Sequence, residues 1–107
     1  MVCKTHQVKI FIAGDLDQIR KTCRIYCLCG LCVTITPTEF IYTGGMETGV
    51  EIGLMNYARF PDEPFKIDEH AMNLARQLMA DCFQRSCSVV TPTESHYLQN
   101  EGITIPR

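Results

Sequence analysis

At 107 residues the chain is expected to form one domain around one modest core. Its net charge of −2 and pI of about 5.9 lack the basic surplus that long nucleic acids require, although a few arginines can still hold one small anion. There is no apolar run of signal or membrane-span length, and the cysteine count, seven, is odd. The expectation is a reduced, cytosolic protein with no membrane partner.

The run from Val8 to Gly14, VKIFIAG, is apolar and β-branched and predicts a buried strand. Asp15 then serves as an N-cap, with Gln18 three residues on as in a capping box. Leu16, Ile19, Cys23, Tyr26 and Cys27 form one helical stripe, and Gly30 is the natural stop. In LCVTITPTEFIYTGG, Leu31, Val33 and Ile35 alternate with polar residues, so a strand follows, with Pro37 marking an edge or a bulge. GGMETG, Gly44 to Gly49, reads as a glycine-rich turn, and Val50, Ile52 and Leu54 as the returning strand of a hairpin.

DEPFKID reads as a connector around Pro64. A second helix is expected from near Asp68, carrying Ala71, Leu74, Ala75, Leu78 and Cys82. SCSVVTPTESHYL reads as the last strand, and the final ten residues show no clear periodicity.

TPTE occurs at Thr36–Glu39 and again at Thr91–Glu94. The same spacing pairs Cys27 with Cys82, Cys32 with Cys87, Ile19 with Leu74 and Tyr42 with Tyr97. Two such halves joined by a hairpin predict an α+β, ferredoxin-like β-α-β-β-α-β fold, an antiparallel sheet with two helices on one face. The domain is assigned to 1–107, with a core of about 8–97, a short N-terminal tail and a C-terminal segment, 98–107.

Four cysteines crowd CRIYCLCGLC, Cys23 to Cys32. Zinc would need thiolates that converge, whereas the antiparallel helices of this fold separate the pairs Cys27/Cys32 and Cys82/Cys87. Small buried thiols at a helix-to-strand junction are the expectation, with no metal and no cofactor. C-x-C and C-x4-C are not thioredoxin-like redox spacings. His6, His70 and His96 fall in no catalytic motif, and no Walker, GxGxxG or HExxH signature is present, so no catalytic residue is assigned.

The candidate ligand site is NYARFP. Asn56, Tyr57, Arg59 and Phe60 place an amide, a guanidinium and two rings where a strand leaves the sheet, suiting a base and a phosphate. Thr36, Thr91 and Thr93 supply hydroxyls beside proline bends, either as ligand donors or as turn residues.

KIFIAGDLDQIRKTCRIYC, TPTEFIYTGG and GLMNYARFP together resemble the phage Thoeris anti-defence family of the first type, over roughly residues 8–97. The resemblance implies a homo-oligomeric sponge, dimer or higher, acting in the cytoplasm of the infected host. It would bind cyclic ADP-ribose isomers such as gcADPR, or cyclic trinucleotides, without cleaving them, and so would not be an enzyme. Asn56 and Arg59 take a ligand role from the resemblance, with Arg24, the threonines and the C-terminal Arg107 beside them. Ile25 departs from the polar residue expected at an exposed helix position. The alternatives are a small nucleotide-processing enzyme, hydrolase or glycosyl transferase, and a ferredoxin-like regulatory or interaction module.

Overall fold

The first strand to be made is the one the sheet is built around. In the computed structural model, which describes residues 1–100, β1 (Gln7–Ala13) lies between β3 (Gly45–Met55) and β4 (Ser86–Val90) and pairs antiparallel with both. β2 (Thr34–Tyr42) flanks β3 and β5 (Ser95–Gln99) flanks β4, giving the order β2-β3-β1-β4-β5. With α1 (Leu16–Tyr26) and α2 (Pro64–Asp81) inserted after β1 and β3, this is the expected ferredoxin-like arrangement, extended by β5 at one edge.

Alternation along the strands sorts the two faces of the sheet. Val8, Ile10 and Ile12 of β1, Val50, Ile52 and Leu54 of β3, and Cys87 and Val89 of β4 point to one face and are buried. Ile19 and Cys23 of α1, with Ile67, Ala71, Leu74, Ala75, Leu78 and Met79 of α2, cover that face and complete the core. Asp15 caps α1 as the sequence predicts, its carboxylate accepting from the Gln18 N–H at 3.1 Å. The Gln18 side chain donates instead to Thr22, so the reciprocal half of a capping box is not made. The buried Thr22 hydroxyl in turn donates to Asp81 at 2.7 Å, tying the two helices together.

Three expectations change. The turn between β2 and β3 is only Thr43-Gly44, with Gly44 at positive φ, so β2 pairs with β3 along its whole length and GGMETG is mostly strand. α2 starts at Pro64, not near Asp68, because proline suits the first helical turn, where its missing N–H is not needed. The last strand is two strands. Thr91–Glu94 is a turn between β4 and β5, closed by Thr91 Oγ1 accepting from the Glu94 N–H at 3.0 Å.

The internal similarity therefore holds only as far as the helix ends. Cys27 and Cys82 are both helix C-caps. Beyond them the first TPTE lies inside β2 and the second in a turn, while Cys32 is exposed and Cys87 buried. The cysteine cluster is likewise not one core junction: Cys23 is buried and Cys27 half-buried, but Cys29 and Cys32 are exposed. Pro37 sits in β2, which is an edge strand, as expected.

Candidate functional site

β3 runs off the sheet at Met55, and the chain that follows is held by Asn56. Its N–H donates to the His6 carbonyl, its side-chain amide donates to the Lys4 carbonyl, and its Oδ1 accepts from the Asp62 N–H, each at 2.9 Å. Asn56 is only 7% exposed and spends its amide on backbone groups, clasping the N-terminal segment to the 56–62 loop. His6 reinforces the clasp, with Nε2 2.7 Å from Asp68 on α2.

The clasp presents a ring pair. The Phe60 N–H donates to the Tyr57 carbonyl at 3.1 Å, closing a tight turn, and the two rings lie 5.1 Å apart at 33°. Phe60 is 52% exposed, so its face is open to solvent, and Arg59 stands exposed at the tip of the turn. The Tyr57 hydroxyl shares a 3.5 Å hydrogen bond with the Cys32 thiol. This contact first, and burial second, pushes the hydroxyl above the usual phenol range, because a thiol ionises before a phenol and Tyr57 would lose its proton beside a negative sulfur.

Tyr57, with Met55, forms the shared wall of two concavities. One, on the open face of the sheet, has a volume of about 160 Å³ and is lined by Lys9, Thr34, Glu51, Gly53, Met55 and Tyr57. Lys9 and Thr34 lie on either side of Gly53 in register, and a Cβ at Gly53 would come within 2.5 Å of Thr34 Oγ1. The missing side chain is what opens the groove. Lys9 Nζ and Glu51 Oε1 pair across it at 3.3 Å, so both charges face a ligand entering there. The other concavity, about 50 Å³, is lined by Cys32, Asn56, Tyr57, Phe60 and His70, among others. His70 Nδ1 is held 3.0 Å from the Tyr26 hydroxyl.

The remaining residues expected at the site are scattered. Thr36 is exposed on the open face, opposite Glu51. Thr91 is buried and occupied by its own turn, with Thr93 exposed beside it. Arg24 lies on the outer surface of α1 with Arg20, Lys21 and the exposed Ile25 and Leu28, not in the Tyr57 groove. Arg107 and the rest of 101–107 lie outside the described residues. Lys9, Glu51 and Gly53 were not expected from the sequence, although a glycine inside the strand run VEIGLM marks a place where something approaches the backbone closely. Among the described residues, no group of three or more His, Cys, Asp or Glu is placed to hold a metal ion, and no helix is long and apolar enough to cross a membrane.

No protein-family model and no curated protein matches the chain. Two solved structures do. A phage SAM lyase in its apo state superimposes with a TM-score of 0.74 at 16% identity, covering 92% of this chain and 92% of that one. A phage SAM lyase in complex with S-methyl-5′-thioadenosine gives 0.71 at 16% identity, covering 94% and 93%. At this identity the likeness establishes the fold. It also corrects the expectation of a non-enzyme: the architecture read as a binding module is that of a lyase, and missing motifs are no argument against catalysis on it.

Proposed function

We propose that this chain is a small nucleoside-processing enzyme that cleaves S-adenosylmethionine, or a closely related sulfonium nucleoside, to S-methyl-5′-thioadenosine. The observation that carries this reading is the full-length likeness to phage SAM lyase, one example of which holds that thioether. The open-face groove supports it. A sulfonium amino acid brings two positive charges and one carboxylate, and Glu51 and Lys9 offer the complementary pair beside the Tyr57 and Phe60 rings.

The chemistry asks little of the protein. The bond from sulfur to Cγ of the amino-acid arm breaks, and its electron pair neutralises the sulfonium. The substrate's own carboxylate oxygen closes onto Cγ to form a five-membered lactone. No water is consumed and no protein base is required, so positioning is the main contribution. Because positive charge on sulfur fades as the bond breaks, Glu51 binds the ground state at least as well as the transition state. Glu51→Gln is therefore expected to raise KM about tenfold with little change in kcat.

At about 160 Å³ the groove is smaller than the roughly 300–1,000 Å³ usual for a small-molecule site. A second copy of the chain supplies the missing wall in this reading, making the active form a homo-oligomer. The test is incubation with S-adenosylmethionine, chromatography of the products, and light scattering of the same sample. Thioether appearing in step with substrate loss, from an oligomer, is the expected result. Substrate left intact after prolonged incubation overturns the reading. A parallel sample with gcADPR, recovered intact but depleted from solution, would return the chain to a sequestering role.

A further inference from the structure

Cys29-Gly-Leu-Cys32 is a C-x2-C sequence, the spacing of dithiols that cycle with their disulfide. Both cysteines are exposed, in contrast to Cys23 and Cys87. Between them Gly30 adopts φ 104°, ψ 38°, a left-handed conformation that turns the chain at the end of the Cys27–Cys29 3-10 turn. Nothing lies within 4 Å of where a Gly30 side chain would be, so the loop has room to adjust. The Gly30 and Leu31 N–H groups both donate to the Cys27 carbonyl, at 3.0 and 3.3 Å, so the chain between the two thiols folds back in one tight turn.

We infer that Cys29 and Cys32 form a reversible dithiol–disulfide pair, and that closing it withdraws Cys32 from Tyr57. The oxidant is a small-molecule disulfide, such as glutathione disulfide. One protein thiolate attacks it, releasing one glutathione and leaving a mixed disulfide. The second protein thiolate attacks the protein-bound sulfur and releases the other glutathione. One S–S bond breaks and one forms in the protein, which gives up two electrons, and its two protons end on two glutathione thiols. The Tyr57 hydroxyl then loses its 3.5 Å partner, and the wall shared by the two concavities loosens. The consequence for the ligand rests on the proposed function; the pair itself does not.

The intact protein is equilibrated in glutathione buffers of increasing oxidation, then alkylated and analysed by mass spectrometry. A loss of about 2 Da confined to the Cys29/Cys32 peptide is expected. Cys32→Ser should stop at a glutathione adduct on Cys29, and Cys27→Ser should still close the pair. Persistent free thiols, or a bond that needs Cys27, would overturn the pair. Ultraviolet titration of tyrosine reads the coupling: on oxidation one tyrosine should titrate at lower pH, and an unchanged curve would sink that half. S-methyl-5′-thioadenosine should bind the oxidised form about fivefold more weakly, the worth of roughly one hydrogen bond. Equal affinity would overturn the regulatory role. Failure of both forms to bind, with the disulfide and the tyrosine shift present, would refute the proposed function while leaving the redox pair standing.

Discussion

The two helix-to-strand passages of this molecule begin alike and end differently. Each helix finishes on a half-buried cysteine, Cys27 or Cys82, and five residues later each chain reaches another, Cys32 or Cys87. The first passage goes through a 3-10 turn and a left-handed glycine, so Cys32 is still outside the sheet when Cys87's counterpart position is reached. The second also turns through a left-handed residue, Phe83 at φ 54°, but without a 3-10 turn it reaches β4 by Ser86 and buries Cys87 at 5% exposure. Four residues further on, identical TPTE segments are an edge strand in one case and a turn in the other. Local sequence offers the backbone two options, and the length of the preceding connection selects one.

The largest break in this comparison should come from the cysteines. Cys87→Ser puts a hydroxyl among apolar side chains and is expected to cost about 1–3 kcal/mol, whereas Cys32→Ser should stay within about 0.5 kcal/mol. Urea unfolding of both variants reads the difference, and equal costs would mean that the two sites share one environment after all. The threonines come next. Thr91 closes its turn through backbone N–H groups, so Thr91→Ala should cost about 1 kcal/mol, while Thr36→Ala on an exposed strand face should cost less than about 0.5 kcal/mol. If Thr36→Ala proved the costlier change, the turn assignment for the second TPTE would be wrong.

The smallest effect near neutral pH is one of linkage. Burial pushes the Cys23 thiol up to about 12 and the Cys87 thiol up to about 11, from an ordinary value of 9.0. Between those values the unfolded chain has lost the protons that the folded chain keeps. Stability from this source is thus complete below pH 9.0 and falls as pH rises toward 11 and 12. Denaturant midpoints measured from pH 8 to 11 should fall, and Cys23→Ala should flatten that fall.

Much of the fold could be read from particular residues. VKIFIAG, the Asp15 cap and the Val50-Ile52-Leu54 alternation are strong signals because one periodicity fits each. The start of α2 was misplaced because Pro64 signals both a connector and a first helical turn, and only the packing of Ile67 into the core decides between them. The split of β4 and β5 was hidden because Thr91 reads as a β-branched strand residue until its hydroxyl is seen closing a turn. At the site, the NYARFP turn was legible but its divided labour was not. Asn56 is a clasp, and Tyr57 and Phe60 supply the surface. Lys9 and Glu51 look like any solvent-side strand residues, and only the register of β1 on β3 brings them together over Gly53. The C-x2-C pair is masked in the sequence because Cys27 adds C-x-C and C-x4-C spacings around it.

The central position of β1 bears on how the chain is manufactured. Its neighbours are residues 49–55 on one side and 88–90 on the other. A ribosome therefore releases the VKIFIA segment long before either neighbour exists, and its second edge stays open until nearly the whole chain has emerged. During that interval an apolar, β-forming hexamer is available to any other nascent copy. Yield in a heterologous host should thus respond to translation speed and to chaperones that hold extended segments. A circular permutant that opens at the Thr43-Gly44 turn would synthesise β3 and β4 before β1, leaving β1 to enter a gap already formed between its two partners.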